Sequence, residues 1–265
     1  PSILTAPFEI SPVALDIESL NHRSLEADLE ITAISCAQYP FVKHNYALTA
    51  CGASLGEAYG PKLITNSSSL TLDDIAAGSG GAVAIPGART SAYLALRILL
   101  ENPNIPIIIL PFREVIPAVL DGRARAGLVI HEAQLTFPDL NLRLLADLGK
   151  LWHDRFQLPL PLGANIIKRS LDGLHGSGTI RRLTSLLHQS VQYALANRAK
   201  GLAYAQLFAP ESSSDLTDRF IDLYVNRLSL DFGPLGHRAI ETFLSRAHEL
   251  DLIPDPHPID PVLVA

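Results

Sequence analysis

The segment "GAVAIPGARTSAYLALRILL", residues 81–100, carries the pattern that decides the fold. Its first six residues form a short apolar run typical of a buried strand, and a Pro-Gly turn follows. From Thr90 onward, the apolar residues recur with the 3.6-residue period of a helix. A buried strand that runs directly into a helix is the repeating unit of α/β proteins, so the segment predicts that class.

The sequence on both sides repeats this unit and predicts parallel strand pairing. The first predicted helix carries Ile17, Leu20, Ser24 and Leu25 on one face. The predicted strands are residues 8–16, 30–35, 46–51, 59–65, 81–86, 105–110 and 126–130, and the predicted helices are residues 17–27, 37–44, 90–101, 113–121, 132–136 and 147–156. Residues 158–170 are predicted to be extended, and residues 176–265 to be helical, most clearly over 179–208.

A Ser-rich connection, "NSSSLTLDD", separates two such series and predicts two α/β lobes with a ligand cleft between them and C-terminal helices. We expect residues 1–64 and 168–265 to form a discontinuous first lobe, and residues 65–167 to form the second. The segments "GPKLIT" (60–65) and "LPLPLGANI" (158–166) are the candidate hinge crossings. Ligands of open α/β sheets bind at the carboxyl ends of strands, which would surround this cleft.

Composition narrows the class of partner. With 48% hydrophobic and 18% charged residues, the chain should fold into a compact protein. Its net charge of −6 lacks the basic character of proteins that bind nucleic acid or anionic membranes, so small molecules are the expected partners. No apolar run is long enough to span a membrane, and no signal peptide is visible. Cys36 and Cys51 suit a reducing compartment, and we expect a cytoplasmic protein.

Polar residues stand where three predicted strands run into helices: Ser35, the pair Thr90 and Ser91, and His131. The backbone N–H groups and dipole of a helix start favour a bound anion, although Ser and Thr are also common helix caps. His131 suits a general base because the ordinary histidine pKa is about 6.5; the alternative is a structural histidine. Glu132 is better explained as an acidic residue in the first turn of a helix.

Several more specific catalytic and cofactor-binding motifs are matched only in part. "HEAQL" (131–135) lacks the second histidine of the HExxH zinc motif, because Leu135 stands in its place. "GASLG" (52–56) matches the nucleophile elbow around Ser54, but an extended segment follows where that motif needs a helix. "GSGGAV" lacks the last glycine of a dinucleotide fingerprint. The remaining histidines have no metal-ligand spacing, so no metal is expected.

Six segments, in this order, resemble the 1,4-dihydroxy-6-naphthoate synthases of the futalosine route to menaquinone. They are "ALDIESLNHRSLEADLEITAISCAQYPFV", "GEAYGP", "AIPGARTSAYLAL", "GLVIHEAQLTF", "LPLPLGANI" and "LYVNRLSLDFG". The resemblance spans essentially the whole chain. It implies a fold like the type II periplasmic solute-binding proteins, used in the cytoplasm as an enzyme.

The resemblance also implies an activity and its residues. The family converts cyclic dehypoxanthine futalosine into 1,4-dihydroxy-6-naphthoate and a three-carbon fragment, dihydroxyacetone, without a metal or organic cofactor. Its proton acceptor falls on His131. Its substrate-contacting segment falls on Ala33, Ile34 and Ser35, and its hydroxyl pair on Thr90 and Ser91, where many members have Thr-Thr.

Two further expectations concern the front of the chain and the alternatives. Family members begin with a strand and a Ser-Pro motif rich in Asp or Asn, but here nothing precedes "PSILTAPFEI", and the chain contains no methionine. We expect the natural start to lie upstream, and a protein truly lacking that strand to lose activity. One alternative is a non-catalytic solute-binding protein of the same fold. The other is the related chorismate dehydratase, and the "IHE" motif argues against this second alternative.

Overall fold

The computed structural model describes residues 5–208 and 212–264. The strands are β1 (Ile31–Ser35), β2 (Tyr46–Leu48), β3 (Ser54–Gly56), β4 (Lys62–Thr65), β5 (Val83–Ile85), β6 (Ile107–Ile109), β7 (Ala126–Val129), β8 (Arg143–Asp147) and β9 (Leu160–Lys168). The helices are α1 (Ile17–Ser24), α2 (Tyr39–Val42), α3 (Leu72–Ala76), α4 (Ser91–Leu100), α5 (Val115–Leu120), α6 (Ala133–Thr136), α7 (Leu148–Phe156), α8 (Leu171–His175), α9 (Thr179–Ala196), α10 (Arg198–Gln206), α11 (Ser214–Tyr224), α12 (Arg227–Leu230) and α13 (Gly233–Glu249). Short 3-10 helices cover Cys36–Gln38, Phe112–Glu114 and Phe137–Leu140.

The first sheet is built around the long strand β9. β1 pairs with one edge of β9, and β2 and β3 pair with the other edge, all antiparallel. At the end of β1, Ser35 lies opposite Gly163. The predicted extended segment therefore forms the centre of a sheet, and the prediction of parallel pairing is wrong here, because β9 runs against all three of its partners.

The second sheet has five strands in the order β6-β5-β7-β4-β8. β5 is parallel to β6 and β7, as predicted, whereas β4 is antiparallel to β7 and β8. Side chains alternate between the faces: Val83 and Ile85 pack into the same core as Leu94 of α4, while Ala84 packs with Val119 of α5. Covering both faces with helices explains why these strands are almost continuously apolar.

The larger hydrophobic core joins the two sheets. It contains Ile34 and Ile166 from the first sheet together with Leu63 and Val83 from the second. The fully buried Trp152 of α7 is its largest side chain. The two sheets are therefore packed against each other through one continuous apolar cluster.

The division into lobes stays a proposal, and the sheets suggest where its crossings lie. All of β4 belongs to the five-stranded sheet and all of β9 to the four-stranded sheet. The chain therefore passes between the sheets just before Lys62 and just before Leu160. Both places lie within the predicted hinge segments 60–65 and 158–166.

Two predictions near the front of the chain are wrong in part. The structure shows no strand over residues 8–16, where Ile10, Val13 and Leu15 are exposed and Pro12 removes a backbone donor. Pro1 to Leu4 lie outside the described residues. The helix at 17 is confirmed as α1, but its buried residues are Asn21 and Ser24, and Leu25 is exposed.

Helices α9 to α13 confirm most of the helical region predicted over residues 176–265, but residues 250–264 form no helix, so the prediction is wrong there. α13 places Ile240, Phe243 and Leu244 in the larger core, where Phe243 packs edge-on against Trp152. Among the described helices, none combines the length and apolar character that crossing a bilayer requires.

Candidate active site

His131 lies where β7 leaves the second sheet and α6 begins. Its backbone has a φ of 55°, in the left-handed region that residues other than glycine rarely adopt. The turn closes when the backbone N–H of Gln134 donates to the His131 carbonyl at 3.1 Å. Six other described residues that are not glycine share this conformation, so the backbone fixes the position of His131 but does not by itself assign it a function.

The imidazole of His131 lies among aromatic rings. The Phe112 ring meets it edge-on at 4.8 Å between centroids, and the Phe220 ring lies at 6.2 Å. Burial lowers the pKa of His131, and the negative charges of Glu132 and Asp16 offset this only in part. The ring is therefore uncharged near neutral pH, as a general base requires.

A cavity of about 780 Å³ opens beside this ring. Its size falls within the range of roughly 300–1,000 Å³ typical of small-molecule sites. Its walls come from the segment before α1, the start of α5, the β7–α6 turn and the region around α11. The lining residues are Ala14, Leu15, Asp16, Phe112, Arg113, Ile116, His131, Glu132, Ala133, Thr136, Phe208, Ser212 and Leu216.

The structure brings the end of β1 and the start of α4 together. The Ser91 hydroxyl accepts the backbone N–H of Ala37 at 3.2 Å, just beyond β1. Asn21 of α1 accepts the Ser35 backbone N–H at 2.8 Å and donates to the Ser35 hydroxyl at 3.0 Å. The same amide donates to the Arg89 carbonyl at 3.4 Å, next to Thr90 in sequence. Two of the predicted substrate-binding segments therefore lie together. We call Asn21, Ser35, Thr90 and Ser91 the polar cluster.

The members of this cluster differ in what they do locally. Thr90 caps α4, because its hydroxyl accepts the Tyr93 N–H at 3.2 Å and donates to the Gly87 carbonyl at 2.8 Å. Ser35 makes no capping hydrogen bond with its side chain. Helix capping thus accounts for the hydroxyl side chain at Thr90 but not for the one at Ser35. In β1, the Ile34 side chain is fully buried in the core and leaves only backbone for a ligand, while Ala33 is half-buried.

Helix α1 runs between the two parts of the site. At its start, Asp16 lines the His131 cavity and accepts the N–H groups of Glu18 and Ser19 at 3.1 and 3.0 Å. Two residues further on, the Glu18 carboxylate accepts the Arg89 backbone N–H at 3.2 Å. Within the described chain, the lining of the His131 cavity includes none of the hydroxyl residues at 35, 90 and 91. A single pocket that holds them together with His131 stays a prediction.

Sequence reasoning missed several residues that organise the site. Asn21 is fully buried, although the predicted helix face, which included Ser24, did not include it. Asn21 and Ser24 stand three residues apart, the spacing of one helix face, and this pair was the available sign of a polar contact. Phe112 and Phe220 gave no such sign, because an aromatic residue in an apolar pattern looks like any core residue.

Residues 5–208 and 212–264 contain no group of three His, Cys, Asp or Glu side chains suited to hold a metal ion. Both cysteines are free and buried, and Ser54 begins the extended strand β3 rather than a strand-to-helix turn. The nucleophile-elbow geometry is therefore absent around Ser54.

Comparison with known proteins places these features in context. A menaquinone biosynthesis family matches residues 2–249. The 1,4-dihydroxy-6-naphthoate synthase of Thermus thermophilus is 35% identical over 255 residues, which cover 96% of this chain and 89% of that protein. The protein of that name in Streptomyces coelicolor is 35% identical over 244 residues, which cover 90% of this chain and 83% of that protein.

A solved structure extends the comparison to the fold. The alkanesulfonate-binding protein SsuA of Xanthomonas axonopodis pv. citri superposes with a TM-score of 0.66 at 14% identity, covering 93% of this chain and 84% of that one. This likeness confirms the predicted α/β fold of the periplasmic-binding-protein kind with C-terminal helices. Together with the match over residues 2–249, the identity to the two synthases shows that the chain belongs to the menaquinone biosynthesis family, among the relatives of 1,4-dihydroxy-6-naphthoate synthase.

Proposed function

We propose that the protein is a 1,4-dihydroxy-6-naphthoate synthase that acts as a carbon-carbon lyase. It would convert cyclic dehypoxanthine futalosine into 1,4-dihydroxy-6-naphthoate and dihydroxyacetone. The two synthases that share 35% of its residues over most of their length support this activity. We propose further that it works in the cytoplasm and needs no metal or organic cofactor.

The observation that carries the proposal is the setting of His131. A half-buried imidazole with a lowered pKa lines a cavity large enough for a small molecule, and an unusual backbone conformation holds it there. In this role, His131 takes a proton from the sugar-derived part of the substrate. The bond to the three-carbon fragment then breaks as the remaining ring system becomes aromatic.

The polar cluster at the end of β1 and the start of α4 is proposed to hold the substrate carboxylate. The Ser35 hydroxyl and the first backbone N–H groups of α4 are suitable donors, and a helix start favours an anion. In this proposal Thr90 acts mainly by shaping that helix start, and Ser91 fixes the start of α4 against the segment that follows β1. Closure of the two lobes would bring the carboxylate site and His131 onto one substrate and exclude water.

The direct test is incubation of the purified protein with cyclic dehypoxanthine futalosine, followed by mass spectrometry for the naphthoate and dihydroxyacetone. Both products should appear in equal amounts. A parallel incubation with chorismate tests the dehydratase alternative. Binding of the futalosine substrate without turnover would instead support a solute-binding protein, and product from chorismate alone would overturn the proposed reaction.

A further inference from the structure

A second cavity, of about 250 Å³, lies away from His131. It is bounded by the segment after β1, by the turn before α4, by α4 itself and by the chain after α13. Its apolar walls include Phe41, Leu94 and Ile253. The side chains of Arg89 and Arg97 also line it, so two cationic groups border a small apolar space.

Arg97 has no anionic partner in the described chain. Its Nε is buried and makes no hydrogen bond, and its guanidinium lies over the Tyr93 ring at 4.6 Å. The acid one helical turn further on, Glu101, pairs with Arg155 instead. Burial accordingly lowers the pKa of Arg97. Leaving a half-buried guanidinium without a counter-ion is costly, so its environment favours a bound anion.

Arg89 also lines the cavity and, like Arg97, stacks on an aromatic ring. Its guanidinium lies over the Phe41 ring at 5.1 Å and donates one hydrogen bond to the neutral Gln38 side chain at 3.0 Å. The nearby carboxylate of Glu18 accepts the backbone N–H of Arg89, not its side chain. A guanidinium has five donors, so most of those on Arg89 are not used by this bond.

We propose that this cavity is a binding site for a small aromatic monocarboxylate, with Arg97 and Arg89 holding the carboxylate. Planar guanidinium groups bind carboxylates with paired hydrogen bonds, and stacking on aromatic rings does not use the edge donors of either arginine. The apolar walls suit a flat hydrocarbon body. The volume lies just below the roughly 300–1,000 Å³ of drug-sized sites, so the ligand is a compact acid.

This site is separate from the proposed catalytic site and does not depend on the proposed reaction. Arg89 directly precedes Thr90, however, and Ala37, another lining residue, donates to Ser91. The cavity and the polar cluster are therefore neighbours in the structure.

The test uses benzoate as the probe and benzamide as its uncharged match, each titrated against the full chain with detection by methyl NMR. Benzoate should shift the methyl resonances of Leu94 and Ile253 saturably, and benzamide should not. Arg97→Gln should weaken benzoate binding about tenfold or more, since a charge-assisted hydrogen bond is lost. Arg97→Lys, which keeps the charge but not the planar fork, should give an intermediate affinity.

Two control variants make the result specific. Arg238→Gln removes an exposed arginine of α13 and should leave the affinity unchanged, as should Ser35→Ala in the polar cluster. The proposal is wrong if benzoate fails to shift the Leu94 and Ile253 methyls in the wild-type protein. It is equally wrong if benzamide binds as well as benzoate, or if Ser35→Ala weakens binding while Arg97→Gln does not.

Discussion

His131 combines a left-handed backbone conformation with an uncharged ring. These two properties determine which substitution is an informative test of its role. Asparagine tolerates the left-handed region better than most residues and cannot accept a proton as imidazole does. Alanine would remove the ring and strain the backbone together. His131→Asn therefore separates the loss of the base from a local change in fold.

We predict that His131→Asn lowers kcat about 10²- to 10⁴-fold, the usual contribution of a positioned general base, with a much smaller change in KM. The measurement is steady-state kinetics of naphthoate formation. The matched control is His175→Asn, at an exposed histidine of α8, which should retain wild-type kcat. If kcat of His131→Asn stays at the wild-type value, the residue has no role in proton transfer.

The lowered pKa of His131 predicts the pH dependence of the reaction. A base that stays unprotonated below the ordinary histidine pKa of about 6.5 remains active there. The acid limb of the kcat/KM profile should accordingly have its midpoint below 6.5, because that profile reports the free enzyme. The limb should be missing in His131→Asn. A midpoint above 6.5 would mean that the negative charges of Glu132 and Asp16 outweigh burial.

Among the strands and helices, the sequence predicted correctly those features that depend on residues close together along the chain. The strand–helix unit at residues 81–100 appears as β5 and α4, and His131 stands at the strand end where the pattern put it. The strand predicted at 8–16 failed because a strand needs a partner, which local alternation cannot reveal. The polar face of α1 was missed for the same reason, since the need for Asn21 is set by Ser35, which lies beyond the end of the helix.

The start of α7 shows how closely two elements can be packed. A Cβ added at Gly149 would lie 1.9 Å from the Tyr59 carbonyl carbon, so only glycine lets α7 approach the backbone of the crossing segment. We predict that Gly149→Ala lowers the free energy of unfolding by at least about 1–3 kcal/mol, the usual cost of overpacking. Denaturant unfolding measures this change.

Gly173 of α8 provides the control, because a Cβ there meets nothing within 4 Å. Gly173→Ala should raise the free energy of unfolding by about 0.5–1 kcal/mol, as alanine is the better helix former. Equal effects of the two substitutions would show that helix propensity, rather than the close approach at Tyr59, governs Gly149.

For the whole molecule, the proposed reaction requires the polar cluster and the His131 cavity to act on one substrate. The larger core already contains residues of both sheets, so closure should be a small rotation about the crossings near Lys62 and Leu160. We predict that His131→Asn, with substrate bound but not turned over, has a smaller radius of gyration in X-ray scattering than the same variant alone. Superimposable curves would contradict closure.

The central position of β9 also bears on how the protein is made. Its first-sheet partners end at Gly56, about a hundred residues before β9 begins, and in the described sheet they pair with β9 rather than with one another. All strands of the second sheet lie in sequence between β3 and β9. That sheet can therefore assemble on the ribosome before β9 is available to pair with β1, β2 and β3. We therefore expect the first sheet to form last during synthesis, with its unpaired edges the part of the nascent chain most in need of chaperone protection.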